Sequence, residues 1–127
     1  MKKLNLLKIA CISLISLSLF SCEEEEINTD VCSENFKYVE GESFISDRIA
    51  EIDAAEELQV KQVDQWVMGE EAYYVFRNKN TARGIDQRAI YTCTNDLYRD
   101  VTEDEWQVFK DSDVFRSALH VDVIYQR

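Results

Sequence analysis

The sequence predicts an α+β domain, in which a small antiparallel meander sheet of about four strands carries one or two helices packed on one face. Three observations predict it. Two runs rich in Val, Tyr, Phe and Trp flank Gly69, a helical pattern precedes them, and a capping motif with a short helical run follows them. Helical and strand patterns are therefore partly segregated along the chain, as is typical of α+β proteins.

The length and charge of the chain exclude several classes of protein. Its 127 residues suffice for one domain and are too few for an α/β barrel or a two-domain dinucleotide enzyme. The net charge of −11 argues against nucleic-acid binding, which requires a basic surface to neutralise phosphates. Hydrophobic residues make up 46% of the chain, too many for a protein that is disordered throughout.

The first helix is predicted from isoleucines that recur at helical spacing. Ile45, Ile49 and Ile52 share one face, and charged residues occupy the other. Ser46 is the predicted N-cap of this helix. Before it, the aromatic and β-branched residues at 36–39 predict a short strand.

The sheet is predicted from three β-rich runs, at residues 60–68, 72–77 and 89–94. Gly69 predicts a tight turn between the first two runs, because glycine readily adopts a positive φ. Residues 78–84 are polar and predict a loop before the third strand.

The second helix is predicted from its N-terminal cap. Thr102 and Glu105 have the spacing of a capping box, in which each side chain accepts a backbone N–H of the other residue. Trp106 and Phe109 then share one face of a short helix. Two further elements are predicted after it, a turn of helix and a last strand, at residues 113–118 and 121–125.

The N-terminal residues have the layout of an export signal. Three lysines among the first eight residues precede residues 9–20, an apolar run interrupted only by serine and too short to span a bilayer comfortably. The run leads to Leu19, Ser21 and Cys22, which resemble the lipobox of bacterial lipoproteins. The resemblance implies that residues 1–21 are removed and that Cys22 carries acyl chains that anchor the protein in a membrane. The alternative is an ordinary secreted protein cut nearby, with Cys22 free or disulfide-bonded.

Four glutamates, Glu23, Glu24, Glu25 and Glu26, follow that cysteine directly. This acidic run is similar to the export signal of surface lipoproteins in Bacteroidota-type bacteria. The resemblance implies a lipid-anchored outer-membrane protein that faces the cell exterior. The alternative is a solvated acidic spacer in a protein that faces the periplasm.

The mature chain divides into a tether and one domain. Residues 22–34 predict a lipidated acidic tether, and residues 35–127 predict a single folded domain. Loss of residues 1–21 removes three of the 14 Lys+Arg and none of the 25 Asp+Glu, so the net charge becomes −14. This charge repels acidic lipid headgroups, so the membrane contact is assigned to the lipid anchor.

Two of the four cysteines remain for the folded domain. Cys11 leaves with the signal, Cys22 is assigned to the lipid, and Cys32 and Cys93 are left. Outside the cytoplasm such a pair predicts a disulfide, which closes a loop of about 60 residues and contributes about 4 kcal/mol. The alternative is a buried Cys93 beside an idle Cys32.

The sequence predicts neither an enzyme nor a metal or cofactor site. His120, the sole histidine, lies near Ser117 and Asp122, but no nucleophile elbow or oxyanion loop accompanies them. Acidic residues cluster at the predicted hairpin turn and in the first turn of the predicted second helix, where carboxylates interact favourably with the helix dipole. The acids around Asp96 and Asp100 lack the spacing of an EF-hand. No phosphate loop or dinucleotide motif is present in the sequence.

Aromatic residues provide the one pattern that suggests recognition. Trp66, Tyr73 and Tyr91 fall on the predicted sheet and predict an aromatic surface for a protein or glycan ligand. The alternative is ordinary core and cross-strand packing. The function predicted is therefore a membrane-anchored binding module, and the second candidate is a secreted-type inhibitor of a lysozyme-like or proteolytic enzyme. In that second case residues 78–84 are expected to form a protruding rigid loop.

Overall fold

Two helices and five strands lie within residues 29–127, the part of the chain that the computed structural model describes. The predicted signal peptide, Cys22 and the run Glu23 to Glu26 lie outside the described residues. In chain order the elements are α1 (Phe44–Ala54), β1 (Leu58–Met68), β2 (Glu71–Asn80), β3 (Ile85–Thr92), β4 (Leu97–Thr102), α2 (Glu103–Lys110) and β5 (Leu119–Gln126).

The strands form one antiparallel sheet in the order β4-β3-β2-β1-β5. Strands β1 to β4 are a meander, and β5 adds to the far side of β1. The connection through α2 therefore leads from one edge of the sheet to the other. The predicted α+β class and antiparallel meander are confirmed, with five strands where about four were predicted.

The hairpin between β1 and β2 turns where the sequence predicted it. Met68 pairs with Glu71, and Gly69 in the turn has a φ of +66°. A side chain is strained in this left-handed region, so glycine suits the position. The turn fixes the register that brings Trp66 opposite Tyr73.

Alternation along β2 supplies apolar side chains to both faces of the sheet. Tyr74 and Phe76 pack on the face covered by α1, and Tyr73 and Val75 pack on the face covered by α2. We call these the α1 face and the α2 face. The α1 face buries Phe36, Ile45, Ile49, Val60, Val63, Ala72, Tyr74, Phe76 and Ala89. The α2 face buries Tyr73, Val75, Ile90, Val101, Trp106, Phe109, Phe115 and Ala118.

The two helices thus lie on opposite faces of the sheet, whereas the sequence predicted them on one face. The physical reason is that β2 is apolar at consecutive positions from Ala72 to Phe76, all of them buried. A strand with two apolar faces needs cover on both sides. One helix on each side provides it.

Several element boundaries differ from the prediction. Residues 36–39 are not a strand, although Phe36 is buried in the core of the α1 face. The first helix starts at Phe44 with Ser43 as its N-cap. Ser46 lies inside that helix, where its hydroxyl accepts the Gly41 N–H (2.8 Å) and donates to the Tyr38 hydroxyl (3.2 Å). A serine in the first turn thus ties the preceding loop to the helix instead of capping it.

The later boundaries differ as well. Strand β2 continues to Asn80, so the predicted loop at 78–84 shrinks to residues 81–84. Strand β3 runs over Ile85–Thr92, and residues 113–118 form hydrogen-bonded turns without a helix. Strand β4 was not predicted, because Leu97–Thr102 buries only Val101 and lacks an apolar alternation.

Candidate functional site

The predicted aromatic residues do not form one surface. Trp66 and Tyr73 are cross-strand partners on the α2 face, whereas Tyr91 packs half-buried on the α1 face. Tyr73 is 6% exposed. The Trp66 ring lies 6.0 Å from the Trp106 ring and 5.3 Å from the Phe115 ring. These contacts are those of core packing.

The predicted disulfide is present. Cys32 and Cys93 are joined, with their Cα atoms 4.9 Å apart. The segment beside Cys32 also hydrogen-bonds to the sheet, because the Tyr74 hydroxyl donates to the Val31 carbonyl and Gln65 Nε2 donates to the Ser33 carbonyl (2.7 Å). Contacts between the N-terminal segment and the α1 face therefore begin by Val31. The predicted domain boundary at residue 35 stays a prediction.

The structure gives His120 a partner that the sequence pattern did not indicate. Its Nε2 lies 3.5 Å from the Asp64 carboxylate, and its ring lies 5.1 Å from the Trp66 ring. Asp122, the neighbour singled out in the sequence, instead accepts the Val123 N–H at 2.8 Å. Asp64 is distant in sequence and meets His120 only because β1 pairs with β5. The Ser-His-Asp alignment required of a catalytic triad is not formed by Ser117 and Asp122.

A groove of about 680 Å³ lies between the outer edge of β4 and helix α2. We call it the β4–α2 groove. Thr102 ends β4 and is also the N-cap of α2, so the strand leads directly into the helix that flanks it. The residues lining the groove are Arg99, Asp100, Val101, Asp104, Glu105, Val108, Phe109 and Ser112.

The groove has an apolar floor beside a strand edge that carries no neighbour. Val101 and Phe109, each 7% exposed, close it from below, and Val108 stands on its wall at 74% exposure. Leu97 and Tyr98 extend the apolar surface along β4, 56% and 38% exposed. Within the described residues no segment pairs with the outer edge of this strand.

Carboxylates surround this apolar floor. Asp100, Asp104 and Glu105 line the groove, and none of them forms an ion pair with a described residue. Burial raises the pKa of Asp100 above its usual value of 3.8, and the nearby charge of Glu105 raises it further. The Arg99 guanidinium is turned to the Phe109 ring, 4.6 Å from its centroid. The groove therefore has an excess of negative charge that is incompletely solvated.

This arrangement suits the binding of a cation-bearing chain. The Glu105 carboxylate is already engaged, because it accepts the Thr102 N–H at 2.9 Å in the capping box. That bond fixes it at the groove wall. Asp100 also accepts the Val101 N–H, but neither Asp100 nor Asp104 has a cationic partner among the described residues, so both can pair with lysine or arginine side chains. The sequence pattern placed these acids in two unrelated groups, the first turn of a helix and a set of separate oxygen ligands. They lie in one groove because β4, which was not predicted, leads directly into α2.

Comparison with protein-family models, with curated proteins and with solved structures found no match for this chain. Residues 29–127 hold no group of three or more His, Cys, Asp or Glu side chains arranged for a metal ion. Across the same residues, no helix has the length and apolarity needed to cross a membrane.

Proposed function

We propose that this chain is a lipid-anchored protein of the outer membrane whose small domain binds a partner and performs no catalysis. The observation that carries the binding role is the β4–α2 groove, where an apolar floor and an acidic rim meet a strand edge that has no partner strand within residues 29–127. Such a combination supplies contact area and charge for a ligand chain. It is the basis of the binding role, in place of the aromatic surface that the sequence suggested.

The anchoring role is supported by the lipobox-like residues ending at Cys22 and by the position of the disulfide. Acyl chains on Cys22 hold a protein stably when two or more are attached. Because Val31 packs against the sheet and Cys32 is bonded to Cys93, the proposed tether is limited to residues 22–30. Fully extended, a segment of this length spans at most about 32 Å, so the domain would act close to the membrane that holds it.

The anchoring is tested with labelled palmitate and protease shaving of intact cells. We expect the wild type to incorporate palmitate and the Cys22→Ser variant to lose the label. We expect protease to remove the wild-type domain from the cell surface, and to spare a variant with alanine at Glu23 to Glu26. A matched control replaces four exposed acids of the described chain, Glu34, Glu40, Glu42 and Glu57, and should be shaved like the wild type.

The outcomes separate the parts of this proposal. Unlabelled wild-type protein contradicts the lipid anchor. Protection of both the wild type and the variant contradicts the surface location and favours a domain that faces the periplasm. Equal shaving of the wild type and the variant contradicts the role of the four glutamates.

The binding role is tested by photo-crosslinking in intact cells. A crosslinker at Val108, in the groove, is expected to give a discrete adduct that a crosslinker at Leu119 on β5 does not. Both positions are exposed, 74% and 70%, so they differ in location and not in access. Equal adduct patterns from the two positions contradict binding at the groove.

A second candidate is inhibition of a cationic enzyme of the lysozyme class, which the acidic rim of the groove favours. The predicted inhibitory loop is a turn of residues 81–84, held by the Asn80 side chain at 2.9 and 3.1 Å from two backbone nitrogens. We therefore assign any inhibition to the groove. The unlipidated mature chain should slow a lysozyme most strongly at low salt, and absence of inhibition there contradicts this candidate.

A further inference from the structure

We propose that the β4–α2 groove takes an extended, basic segment of a partner protein as a sixth strand of the sheet. The added strand pairs with the outer edge of β4, and its lysine or arginine side chains contact Asp100 and Asp104. This inference rests on the proposed binding function and names the chemistry of the partner.

The first argument is the geometry of the strand edge. From Arg99 to Thr102, β4 pairs with β3 without interruption, and its one irregularity lies nearer Leu97. A regular edge strand presents alternate backbone N–H and C=O groups outward, and these are the template for strand addition. An incoming chain offers hydrogen-bond partners to these outward groups.

The second argument is the apolar surface beside that edge. A strand added to β4 lies alongside α2, so side chains on one of its faces enter the groove above Val101 and Phe109. Val108 on the helix and Leu97 on the strand flank this position, and both are more than half exposed. Covering them removes apolar area from water, which favours binding.

The third argument is charge, which selects among possible occupants. The carboxylates of Asp100, Asp104 and Glu105 favour a cationic chain. The N-terminal tether of this protein carries Glu23 to Glu26, and a second copy would bring the same acidic groove. Both would place like charges together in a partly desolvated site. A basic segment from another protein has the complementary charge.

The opposite edge of the sheet is less suited to strand addition. Strand β5 is interrupted by two register shifts against β1, and bulges of this kind twist an edge away from pairing. His120 of β5 also lies against Asp64, 3.5 Å away. Of the two edges of the sheet, the β4 edge is therefore the one that combines regular pairing over Arg99 to Thr102 with an acidic groove.

The test uses the full mature chain with Cys22→Ser and labelled short peptides in which lysine alternates with valine. We expect the lysine peptide to bind in fluorescence anisotropy and the matching glutamate peptide not to bind. Binding should weaken as salt is raised. Hydrogen exchange at the β4 amides should slow in the complex, while exchange in β5 stays the same.

Backbone methylation distinguishes strand addition from simple charge attraction. Methylating one alternate set of peptide nitrogens is expected to abolish binding, and methylating the other set is expected to leave it, because only one set faces β4. Equal binding of both methylated peptides overturns the proposal, since charge attraction would not discriminate between them.

Charge variants locate the contact. The double variant Asp100→Asn with Asp104→Asn is expected to weaken peptide binding by about tenfold. The charge-matched control, Asp47→Asn with Asp122→Asn, changes exposed acids outside the groove and should bind like the wild type. Equal loss in both variants, or no peptide binding by the wild type, overturns strand addition. A Val108 adduct in cells would then still support a binding function with another kind of partner.

Discussion

At the scale of single residues, the pairing of Arg88 with Glu103 makes stability depend on pH. The guanidinium donates to both carboxylate oxygens, at 3.0 and 3.2 Å. These hydrogen bonds, opposed in part by burial, hold the pKa of Glu103 below its usual 4.5. A lowered folded-state pKa stabilises the protein above about pH 4.5, and that contribution is lost as the pH falls through the folded-state value.

We expect Glu103→Gln to lower the free energy of unfolding at pH 7 by at most about 1 kcal/mol, since the carboxylate is partly exposed. The difference from the wild type should shrink as the pH is lowered below 4.5 and through the folded-state pKa of Glu103. Urea midpoints measured across this range test it, with the exposed Glu57→Gln as control. A gap between wild type and variant that persists undiminished at pH 3 would contradict the linkage.

The Tyr74 hydroxyl is the residue-scale link between the sheet and the N-terminal segment. It is fully buried and donates to the Val31 carbonyl. Burial raises the pKa of Tyr74 above its usual 10, so the hydroxyl stays protonated and remains a donor. We expect Tyr74→Phe to cost about 1–2 kcal/mol and to speed hydrogen exchange near Val31. Tyr98→Phe, at an exposed ring, should leave both measurements unchanged.

At the scale of elements, the capping box stabilises the N-terminus of α2 through two hydrogen bonds between neighbouring residues. The Glu105 N–H donates to Thr102 Oγ1 at 3.3 Å, and the Thr102 N–H donates to the Glu105 carboxylate at 2.9 Å. We expect Thr102→Ala to cost about 1 kcal/mol of unfolding free energy, and Thr102→Ser to restore most of it. Chemical denaturation measures both. Equal stability of the alanine variant and the wild type would show that packing of Trp106 and Phe109 holds the helix alone.

Two features that the sequence predicted correctly are fixed by local chemistry. The cap at Thr102 and the turn at Gly69 each depend on a few neighbouring residues. Strand β4 depends instead on a distant partner, because its pairing with β3 and the cover of α2 hold it. The groove forms only where β4 and α2 lie side by side, so the spacing of Asp100 and Asp104 in the sequence could not show that they share a site. The placement of the two helices on opposite faces of the sheet also depends on contacts between distant residues.

At the scale of the whole molecule, the disulfide between Cys32 and Cys93 ties the N-terminal segment to the sheet. Val31 and Phe36 pack on the α1 face, and the bond from Cys32 to Cys93 closes the chain around that contact. The segment that contains Val31 and Phe36 has no helix or strand, so no periodic pattern in the sequence could predict that it covers the α1 face. The pairing itself was predictable from the number of cysteines, once the N-terminal pattern is interpreted as an export signal.

We expect the double variant Cys32→Ser with Cys93→Ser to lose about 4 kcal/mol of unfolding free energy on the chain-entropy estimate. Reduction of the wild type should give the same loss and leave the double variant unaffected, which separates the disulfide from effects of the serines. The strands keep their partners without this bond, so hydrogen exchange should rise first near Val31 and later in β2. If exchange rises uniformly instead, the N-terminal segment is part of the cooperative core, and its packing on the α1 face does not depend on the disulfide alone.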